Sequence, residues 1–445
     1  MAKKRNVVKR VRGNAVLLLS GITGAGWILA AYTVLANDTA AQQKAMIAIA
    51  QEYLEDKLYV RAVSQYTRAL STYQTENNLQ YEAQLLEIYK EAGMLEEYYD
   101  LIQSRMNAGR ASLEEYMTLA QAYIESGAAY KAISILQQGL EIYQDENLTT
   151  LYESICYEYS STGTIFTQID MPSEDWYIPA FDGEHWGYIG SNGRTLLEFT
   201  YEEATCFSGK YAVVKLKGVY TLIDQNGYWN AVDKNDLDRV TALCGTRIVG
   251  VKDGKYAIYT NTFERLGDET YDNAYLNDNG LILAQRDGKW AILDSRLQPV
   301  TDFRFTSVAV NSRGQVYSGR YAVAADEKGF FLMDQAGEPC FEERFADARG
   351  IEEGLFAVAD SQGRWGFANE KAELVVEYRY EDAYSFSNRL AAVKYAGKWG
   401  YINRYGTMVI EAQFGQAFPF LEGMSLAADD LGNYKILALK YFDLF

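Results

Sequence analysis

The sequence is poor in the residues that most often build catalytic relays, metal sites and covalent cross-links. Its 445 residues include one histidine, four cysteines and five prolines. A histidine-based catalytic triad therefore has one candidate, His185, with no motif around it. No two cysteines have C-x-x-C spacing, which argues against a zinc or thioredoxin-type site and favours buried free thiols over a disulfide. The cysteines are Cys156, Cys206, Cys244 and Cys340.

Proline and positive charge are also unevenly placed. No proline precedes Pro172, as a long helical region would prefer. The formal net charge is −18, and an acidic body disfavours nucleic-acid binding, which needs clustered cations facing phosphates. The first 13 residues are the exception, with six cations and no acid: Lys3, Lys4, Arg5, Lys9, Arg10 and Arg12.

The stretch 15–36 carries no charged residue and follows this basic tail directly. Its 22 residues would span about 33 Å as a helix, enough for a bilayer core. We therefore predict a cytoplasmic tail over 1–13 and a transmembrane anchor over 14–36, with the body outside the cytoplasm. The alternative is a cleaved signal peptide, for which Val34-Leu35-Ala36 has a suitable pattern. The apolar run is longer than a typical signal core, which favours an anchor.

Residues 39–160 show helical periodicity and an internal repeat. Tyr53, Tyr89 and Tyr123 are 36 and 34 residues apart, and Ala62, Tyr98 and Ala132 each follow nine residues later. This pattern resembles tetratricopeptide repeats, although Leu86, Tyr98 and Arg105 stand where the second unit should carry small residues. The resemblance implies a helical solenoid whose concave face binds peptides or proteins; a rigid spacer is the alternative. A linker is expected over 161–174, because turn formers replace the periodicity.

A second repeat fills residues 175–445 and is marked by an aromatic residue that begins a short strand. Asn192-Gly193 and Asn226-Gly227 follow two of these aromatics at a fixed offset and predict hairpins. The spacings run from 34 to 40 residues, and the series is Trp186, Tyr220, Tyr256, Trp290, Phe330, Trp365, Trp399 and Tyr434.

Acidic residues recur fifteen or more residues after several of these aromatics. The pairs Glu202-Glu203 and Glu381-Asp382 have the residue types of a general acid and base, but their fixed repeat offset favours turn capping or a solvated face. The acid-rich stretch 233–238 offers oxygen ligands for calcium, yet it lacks the glycine of an EF-hand loop.

The opening of each unit, seen in full as Gly397-Lys398-Trp399-Gly400-Tyr401, resembles the bacterial WG repeat, also called the KWG repeat. The resemblance implies a multidomain protein whose C-terminal part is an all-β repeat domain, either a β-propeller of seven or eight blades or an open β-solenoid. We favour the propeller, because pairing of the terminal strands 176–181 and 434–439 would remove exposed sheet edges. We interpret these repeat-defining residues as structural: Trp186, Gly187, Trp290, Trp365, Gly366, Trp399 and Gly400.

The sequence offers no catalytic constellation, cofactor-binding motif or metal-ligand cluster. We therefore predict a non-enzymatic, membrane-anchored extracytoplasmic scaffold that binds a protein or peptide, needs no cofactor and does not bind nucleic acid. The alternative is a cell-surface module that binds a glycan or small molecule through exposed aromatics; a hydrolase that uses the acidic pairs is less favoured. Function is expected where the repeats differ, as in the longer loop between Asn311 and Arg320, and on the concave helical face.

Overall fold

The structure is a computed structural model that describes residues 39–163, 166, 168–170, 173, 175–228, 235–277 and 280–444. The chain divides after Tyr152 into two compact units. Within the described residues, no helix has both the length and the apolar character needed to cross a bilayer. The predicted cytoplasmic tail and transmembrane anchor, 1–36, lie outside the described residues.

The first unit is built from antiparallel helices. From residue 39 onward, seven helices follow one another through short turns, and the seventh runs across the boundary between the units. They are α1 (Thr39–Glu55), α2 (Tyr59–Thr72), α3 (Asn78–Glu91), α4 (Leu95–Asn107), α5 (Leu113–Glu125), α6 (Ala129–Tyr143) and α7 (Glu146–Cys156).

Local sequence signals set the helix ends. Helix α5 starts at a capping box in which the Glu115 backbone N–H donates to Ser112 Oγ and the Ser112 N–H donates to Glu115 Oε2, at 3.3 and 3.1 Å. The chain leaves α5 through Gly127, whose φ of 77° suits a glycine after a helix end. These signals hold α5 at a fixed length between its neighbours α4 and α6.

Arg105, which departs from the small residue expected there, is buried in an ion-pair network. Its guanidinium donates to Glu82 Oε2 and Glu115 Oε2, each at 3.1 Å, and to the Arg110 carbonyl at 3.2 Å. Arg110 also pairs with the other oxygen of Glu82 at 3.1 Å. The network joins α3, α4 and α5, so this arginine fills its position by pairing with carboxylates rather than by apolar packing.

The described residues of the second unit form eight antiparallel sheets in chain order. Blade 1 consists of β2 (Gln168–Ile169), β3 (Ile178–Phe181), β4 (Trp186–Ile189) and β5 (Thr195–Tyr201), and blade 2 of β6 (Glu203–Ala204), β7 (Tyr211–Leu216) and β8 (Val219–Asp224). Blade 3 consists of β9 (Arg239–Cys244), β10 (Arg247–Lys252) and β11 (Lys255–Thr260), and blade 4 of β12 (Asn273–Leu276), β13 (Ile282–Arg286) and β14 (Lys289–Leu293).

Blades 5 to 8 continue the same order. Blade 5 consists of β15 (Ser307–Ala309), β16 (Tyr317–Ser318), β17 (Tyr321–Asp326) and β18 (Gly329–Met333), and blade 6 of β19 (Asp347–Ala348), β20 (Leu355–Ala359), β21 (Trp365–Asn369) and β22 (Leu374–Tyr380). Blade 7 consists of β23 (Asp382–Ala383), β24 (Leu390–Tyr395), β25 (Lys398–Asn403) and β26 (Met408–Phe414). Blade 8 consists of β27 (Gln416–Ala417), β28 (Met424–Ala428), β29 (Tyr434–Leu439) and β1 (Tyr159–Ser161).

The eight blades close into a β-propeller, because the last blade takes its fourth strand from the start of the unit. Strand β1 pairs antiparallel with β29, so that Tyr159 lies opposite Leu439 and Ser161 opposite Leu437. An apolar cluster also joins Ile178 of blade 1 to Leu426 of blade 8. Closure was expected, and it rules out the open-solenoid alternative.

The closing strand differs from the predicted one. Residues 176–181 overlap β3, an inner strand of blade 1, whereas the partner of β29 is the three-residue strand β1. The structure also places β2 and the end of β1 inside the predicted linker, 161–174. Three residues are too few to show an alternating pattern, so the sequence carries little signal for this strand.

The sequence repeat and the blade are out of phase. A unit that starts at Trp399 supplies β25 and β26 to blade 7 and then β27 and β28 to blade 8. The core lies between successive blades: one buried cluster joins Trp365 and Phe367 of blade 6 to Phe386 and Val393 of blade 7. Each repeat therefore links two blades covalently as well as by packing.

Candidate interaction surfaces

The conspicuous tryptophans are packing residues. Trp365 and Trp399 are buried, with 5% and 7% of their surface exposed. Trp186 and Trp290 are half-buried, and Trp290 stacks on Tyr275 with ring centroids 5.7 Å apart. The Arg349 guanidinium lies 4.8 Å from the Trp365 ring centroid. Within the described blades, Trp365 and Trp399 expose little aromatic face, whereas Trp186 and Trp290 are partly accessible; that these residues are structural stays a prediction.

The glycine after the tryptophan allows a fourth strand to cross closely over the third. A Cβ built on Gly366 would lie 2.4 Å from the Val376 carbonyl oxygen, and one on Gly400 would lie 2.6 Å from that of Ile410. At both places the strand pairing shifts register, as at a β-bulge. Gly187 is confined in the same way: a Cβ built on it would lie 2.9 Å from the Leu197 carbonyl oxygen.

The acidic residues that recur after the aromatics of the β repeat cap turns, as expected. In each case a carboxylate before the first strand accepts a backbone N–H from the turn between the second and third strands of the same blade. The pairs are Glu202 with Gly218 (3.0 Å), Asp238 with Asp253 (2.7 Å), Asp272 with Asp287 (2.8 Å) and Glu381 with Gly397 (2.9 Å). Their recurrence follows from blade geometry.

The remaining sequence candidates are dispersed over the propeller. His185 is exposed and occupies the position where blade 7 has Lys398, which pairs with Asp430. In the candidate calcium stretch, Asp236 pairs with Lys252 and Asp238 caps a turn, while Asp233 lies outside the described residues. Across the described ranges, no three His, Cys, Asp or Glu side chains are grouped as a metal site would require, and none of the four cysteines is in a disulfide.

At one end of the propeller, the loops between the first and second strands of neighbouring blades bond to one another. These loops therefore form a continuous rim from blade 2 to blade 8. The donors and acceptors include Gly245 N–H to Ser208 Oγ, Asn277 Nδ2 to Gly314 O, Gly350 N–H to Val310 O, Ser385 Oγ to Gly350 O, and Gly423 N–H to Asn388 Oδ1.

Residues 310–316 form a short hairpin in the rim, which we name the channel hairpin. Asn311 Oδ1 accepts the N–H groups of Arg313 and Gln315 at 3.0 and 2.9 Å, which closes its turn. The channel hairpin accounts for the 40-residue spacing between Trp290 and Phe330 and lies at the predicted longer loop. Gly350 is needed beneath it, because a Cβ there would lie 2.3 Å from the Asn311 nitrogen.

The channel hairpin belongs to blade 5 but contacts the loops of four other blades. Its Gly314 carbonyl accepts from Asn277 of blade 4, and Ser312 Oγ donates to the Ser385 carbonyl of blade 7 at 2.9 Å. Arg313 reaches Glu352 of blade 6 and Glu422 of blade 8. Blades 4 and 8 are opposite each other in an eight-membered ring, so the hairpin crosses the central opening at this end.

Arg313 is held by two carboxylates of very different exposure. Its Nε donates to Glu352 Oε1 at 2.9 Å and its Nη1 to Glu422 Oε1 at 3.2 Å. The Glu352 side chain is 8% exposed, against 50% for Glu422. Burial raises the pKa of Glu352 to about 7, although the hydrogen bond from Arg313 acts to lower it. Glu352 Oε2 and Ser387 Oγ are buried with no hydrogen-bond partner among the described residues.

The helical unit carries a separate open groove of about 480 Å³ along α5. Its floor combines Tyr99, Met117, Ala122 and Leu151, while Glu114 and Glu125 stand at the two ends of α5. Burial raises the pKa of Tyr98, beside Tyr99, and nearby carboxylates, Glu114 among them, raise it further. The groove is therefore apolar along its length and negative at its ends.

Comparison with known families identifies a sequence repeat in the second unit. The family model described as "WG containing repeat" matches residues 186–220, 365–399 and 399–428. These three matches begin at the three Trp-Gly pairs, in blades 1, 6 and 7. The chain therefore carries WG repeats within an eight-bladed propeller.

Two solved structures are similar to this chain at low identity. Hsv2p of Kluyveromyces lactis is 10% identical with a TM-score of 0.37, over 62% of this chain and 98% of that one. The Pan2 WD40 domain of Neurospora crassa is 10% identical with a TM-score of 0.35, over 64% of this chain and 96% of that one. No curated protein matches the sequence.

Proposed function

We propose that the chain is a non-enzymatic protein-interaction scaffold whose helical unit binds a peptide segment of a partner. The α5 groove is the observation that carries this proposal, because an elongated apolar floor suits the side chains of a bound segment. In the tetratricopeptide-like interpretation of the helices, such a face is the one that binds peptides. Glu114 and Glu125 favour a partner segment with basic residues on either side of an apolar one.

Site-specific photo-crosslinking tests this function. A photoreactive residue at Gln121, in the groove, should capture one partner, and the same residue at the exposed Gln138 of α6 should not. Met117→Asp in the Gln121 variant should abolish the adduct, because it places a charge on the apolar floor. Equal adducts from Gln121 and Gln138 would contradict the groove as the binding surface.

We also propose that residues 14–36 anchor the protein in a membrane, with both units outside the cytoplasm. The uncharged stretch after six cations supports this orientation. Protease added to intact spheroplasts should degrade both units, and a fragment the size of the whole body should persist only if the orientation is reversed. Loss of the protein from the membrane fraction after salt washing would contradict an integral anchor.

The propeller supports scaffolding more than recognition of a glycan. Glycan binding would use exposed aromatic faces; the repeat tryptophans offer few, because Trp365 and Trp399 are buried and Trp290 is stacked on Tyr275, although Tyr228 and Tyr405 are exposed elsewhere on the propeller. The recurrent carboxylates are used as turn caps, which supports a structural role for the acidic pairs. We therefore assign the propeller the role of a platform and the helical unit that of partner binding.

A further inference from the structure

We propose that the propeller rim contains a guanidinium-binding site, formed by Glu352 and Glu422, that Arg313 occupies from within the chain. In this role the channel hairpin is a displaceable plug, and its competitor is an arginine side chain of a partner. This site belongs to the propeller, so its test is independent of the test of the α5 groove.

The first support is the geometry of the arginine itself. Two different nitrogens of Arg313 bind carboxylates from blades 6 and 8, at 2.9 and 3.2 Å. A planar guanidinium presents several donors in a fixed fork, which a lysine ammonium cannot reproduce. Arg313 therefore defines both the position and the chemistry of the ligand that the site accepts.

The second support is that the site has more hydrogen-bond acceptors than Arg313 occupies. Glu352 is nine-tenths buried, and its Oε1 accepts a hydrogen bond from Arg313, while its Oε2 has no partner among the described residues. Ser387 Oγ, at the equivalent position of blade 7, is also buried and unpartnered within that part of the chain. Buried acceptors without donors are costly, so a ligand with additional N–H groups would gain from reaching them.

The third support is how little ties the hairpin to the far side of the ring. The bonds of Arg313 and one hydroxyl bond from Ser312 hold it to blades 7 and 8. Arg313 is 41% exposed, so solvent and a competing cation have access to its ion pairs. Apart from the Arg313–Glu352 ion pair, which displacement breaks, the bonds to blades 4 and 6 are backbone or amide contacts that a small outward movement of the tip would leave in place.

Hydrogen exchange with mass spectrometry tests the occupied site in the full chain. Arg313→Ala should speed exchange about tenfold in peptides covering 310–316, 350–353 and 421–424, which corresponds to the loss of a partly exposed ion pair and its hydrogen bonds. The matched control is Arg364→Ala, which removes an exposed arginine bound to Asp360 in blade 6. Its exchange in the three peptides should equal that of the parent.

Chemical rescue then separates a ligand site from a purely structural contact. Millimolar methylguanidinium should restore slow exchange in 350–353 and 421–424 of Arg313→Ala, methylammonium should not, and neither should act on the Arg313→Ala, Glu352→Gln double variant. Arg313→Lys, which keeps the charge without the fork, should remain fast and serves if the alanine variant does not fold. Unchanged exchange in Arg313→Ala, or equal rescue by both cations, would overturn the site.

The displacement step is tested on the parent protein with triarginine amide against trilysine amide. Triarginine should speed exchange in 310–316 while leaving it unchanged in 421–424, because the carboxylates stay bound to a guanidinium as the hairpin leaves. Trilysine should leave exchange in both peptides unchanged. Equal effects of the two peptides, or no effect of triarginine, would overturn the role of the hairpin as a displaceable plug.

Discussion

Blades 6 and 7 carry a Trp-Gly pair, whereas blades 3, 4 and 5 have Ala257, Ala291 and Phe331 in place of the glycine. Blades 6 and 7 have regular fourth strands, β22 and β26. In blades 3 to 5 the corresponding segments make only isolated bridges, such as Trp290 with Phe305. Blade 1, with Gly187, also has a fourth strand, β5.

This difference gives the degenerate repeats a physical meaning. Glycine lets the fourth strand pass within contact of the third. Where a side chain stands at that position, the fourth segment still bonds to the third strand, as Val300 N–H does to the Ile292 carbonyl at 2.8 Å, but forms no continuous strand. The inner strands are unaffected: Ala291 and Phe331 are buried in the same kind of interblade cluster as Phe367. Loss of the Trp-Gly pair therefore removes an ordered outer strand and leaves the blade in the ring.

The largest expected effect comes from blade 8, which borrows its fourth strand. Replacing residues 159–161 by Gly-Pro-Gly should lower the free energy of unfolding by about 5 kcal/mol, because the pairing with β29 and its edge protection are lost together. Replacing them by three threonines keeps a strand and should change little. Differential scanning calorimetry decides between these outcomes, and equal melting of the two variants would contradict closure by β1.

The next effect compares the tryptophans of the two kinds of blade. Trp399→Ala should cost about 3–5 kcal/mol, because a large side chain leaves a buried cavity in a complete blade. Trp290→Ala should cost less than half as much, because Trp290 is half-buried and stacks on one ring. Urea unfolding of both variants measures the two costs, and their equality would show that the fourth strand does not deepen burial.

A smaller effect follows from the glycine itself. Gly400→Ala should cost about 1–3 kcal/mol, because its Cβ would press on the Ile410 carbonyl and push β26 outward. The reverse change, Ala291→Gly in blade 4, should cost about 1 kcal/mol or less and form no new strand on its own. Exchange protection of 408–414 after Gly400→Ala is the decisive reading, and full protection would refute the steric explanation.

The smallest effect concerns Glu352, which blade 7 replaces by Ser387 at the equivalent position. A pKa raised to about 7 by burial means that the folded protein binds the proton more tightly than the unfolded chain. Its stabilising contribution is therefore complete at low pH and is lost as pH rises through 7. Glu352→Gln should be near neutral at pH 5 and should stabilise by about 1–2 kcal/mol at pH 8.

Thermal melting of the parent and Glu352→Gln across this pH range measures that difference. Glu381→Gln is the control, because Glu381 is exposed and caps a turn. A stability difference between parent and Glu352→Gln that does not change with pH would show that Glu352 keeps its ordinary protonation in the fold.

The repeat register could be read from the sequence because glycine, aromatic and turn residues recur at fixed offsets. It predicted the strands around Trp399, the turn caps such as Glu381, and a closed ring. It missed β1, since three residues show no alternation, and it missed the fate of the fourth strand, which depends on a clash between distant backbones. Asn311 signalled an insertion, but the reach of Arg313 to Glu422 depends on ring geometry that no local pattern encodes.

The closing strand also dictates when the propeller can finish folding. The hydrogen bond from the Ile436 N–H to Thr162 Oγ1, beside β1, joins residues 274 apart, so this contact forms after nearly the whole second unit has been synthesised. Until then β1 must stay unpaired while seven blades assemble, and the outer edge of blade 8 is open to other chains. The slowest folding step and the main opportunity for aggregation are therefore expected at the same three residues.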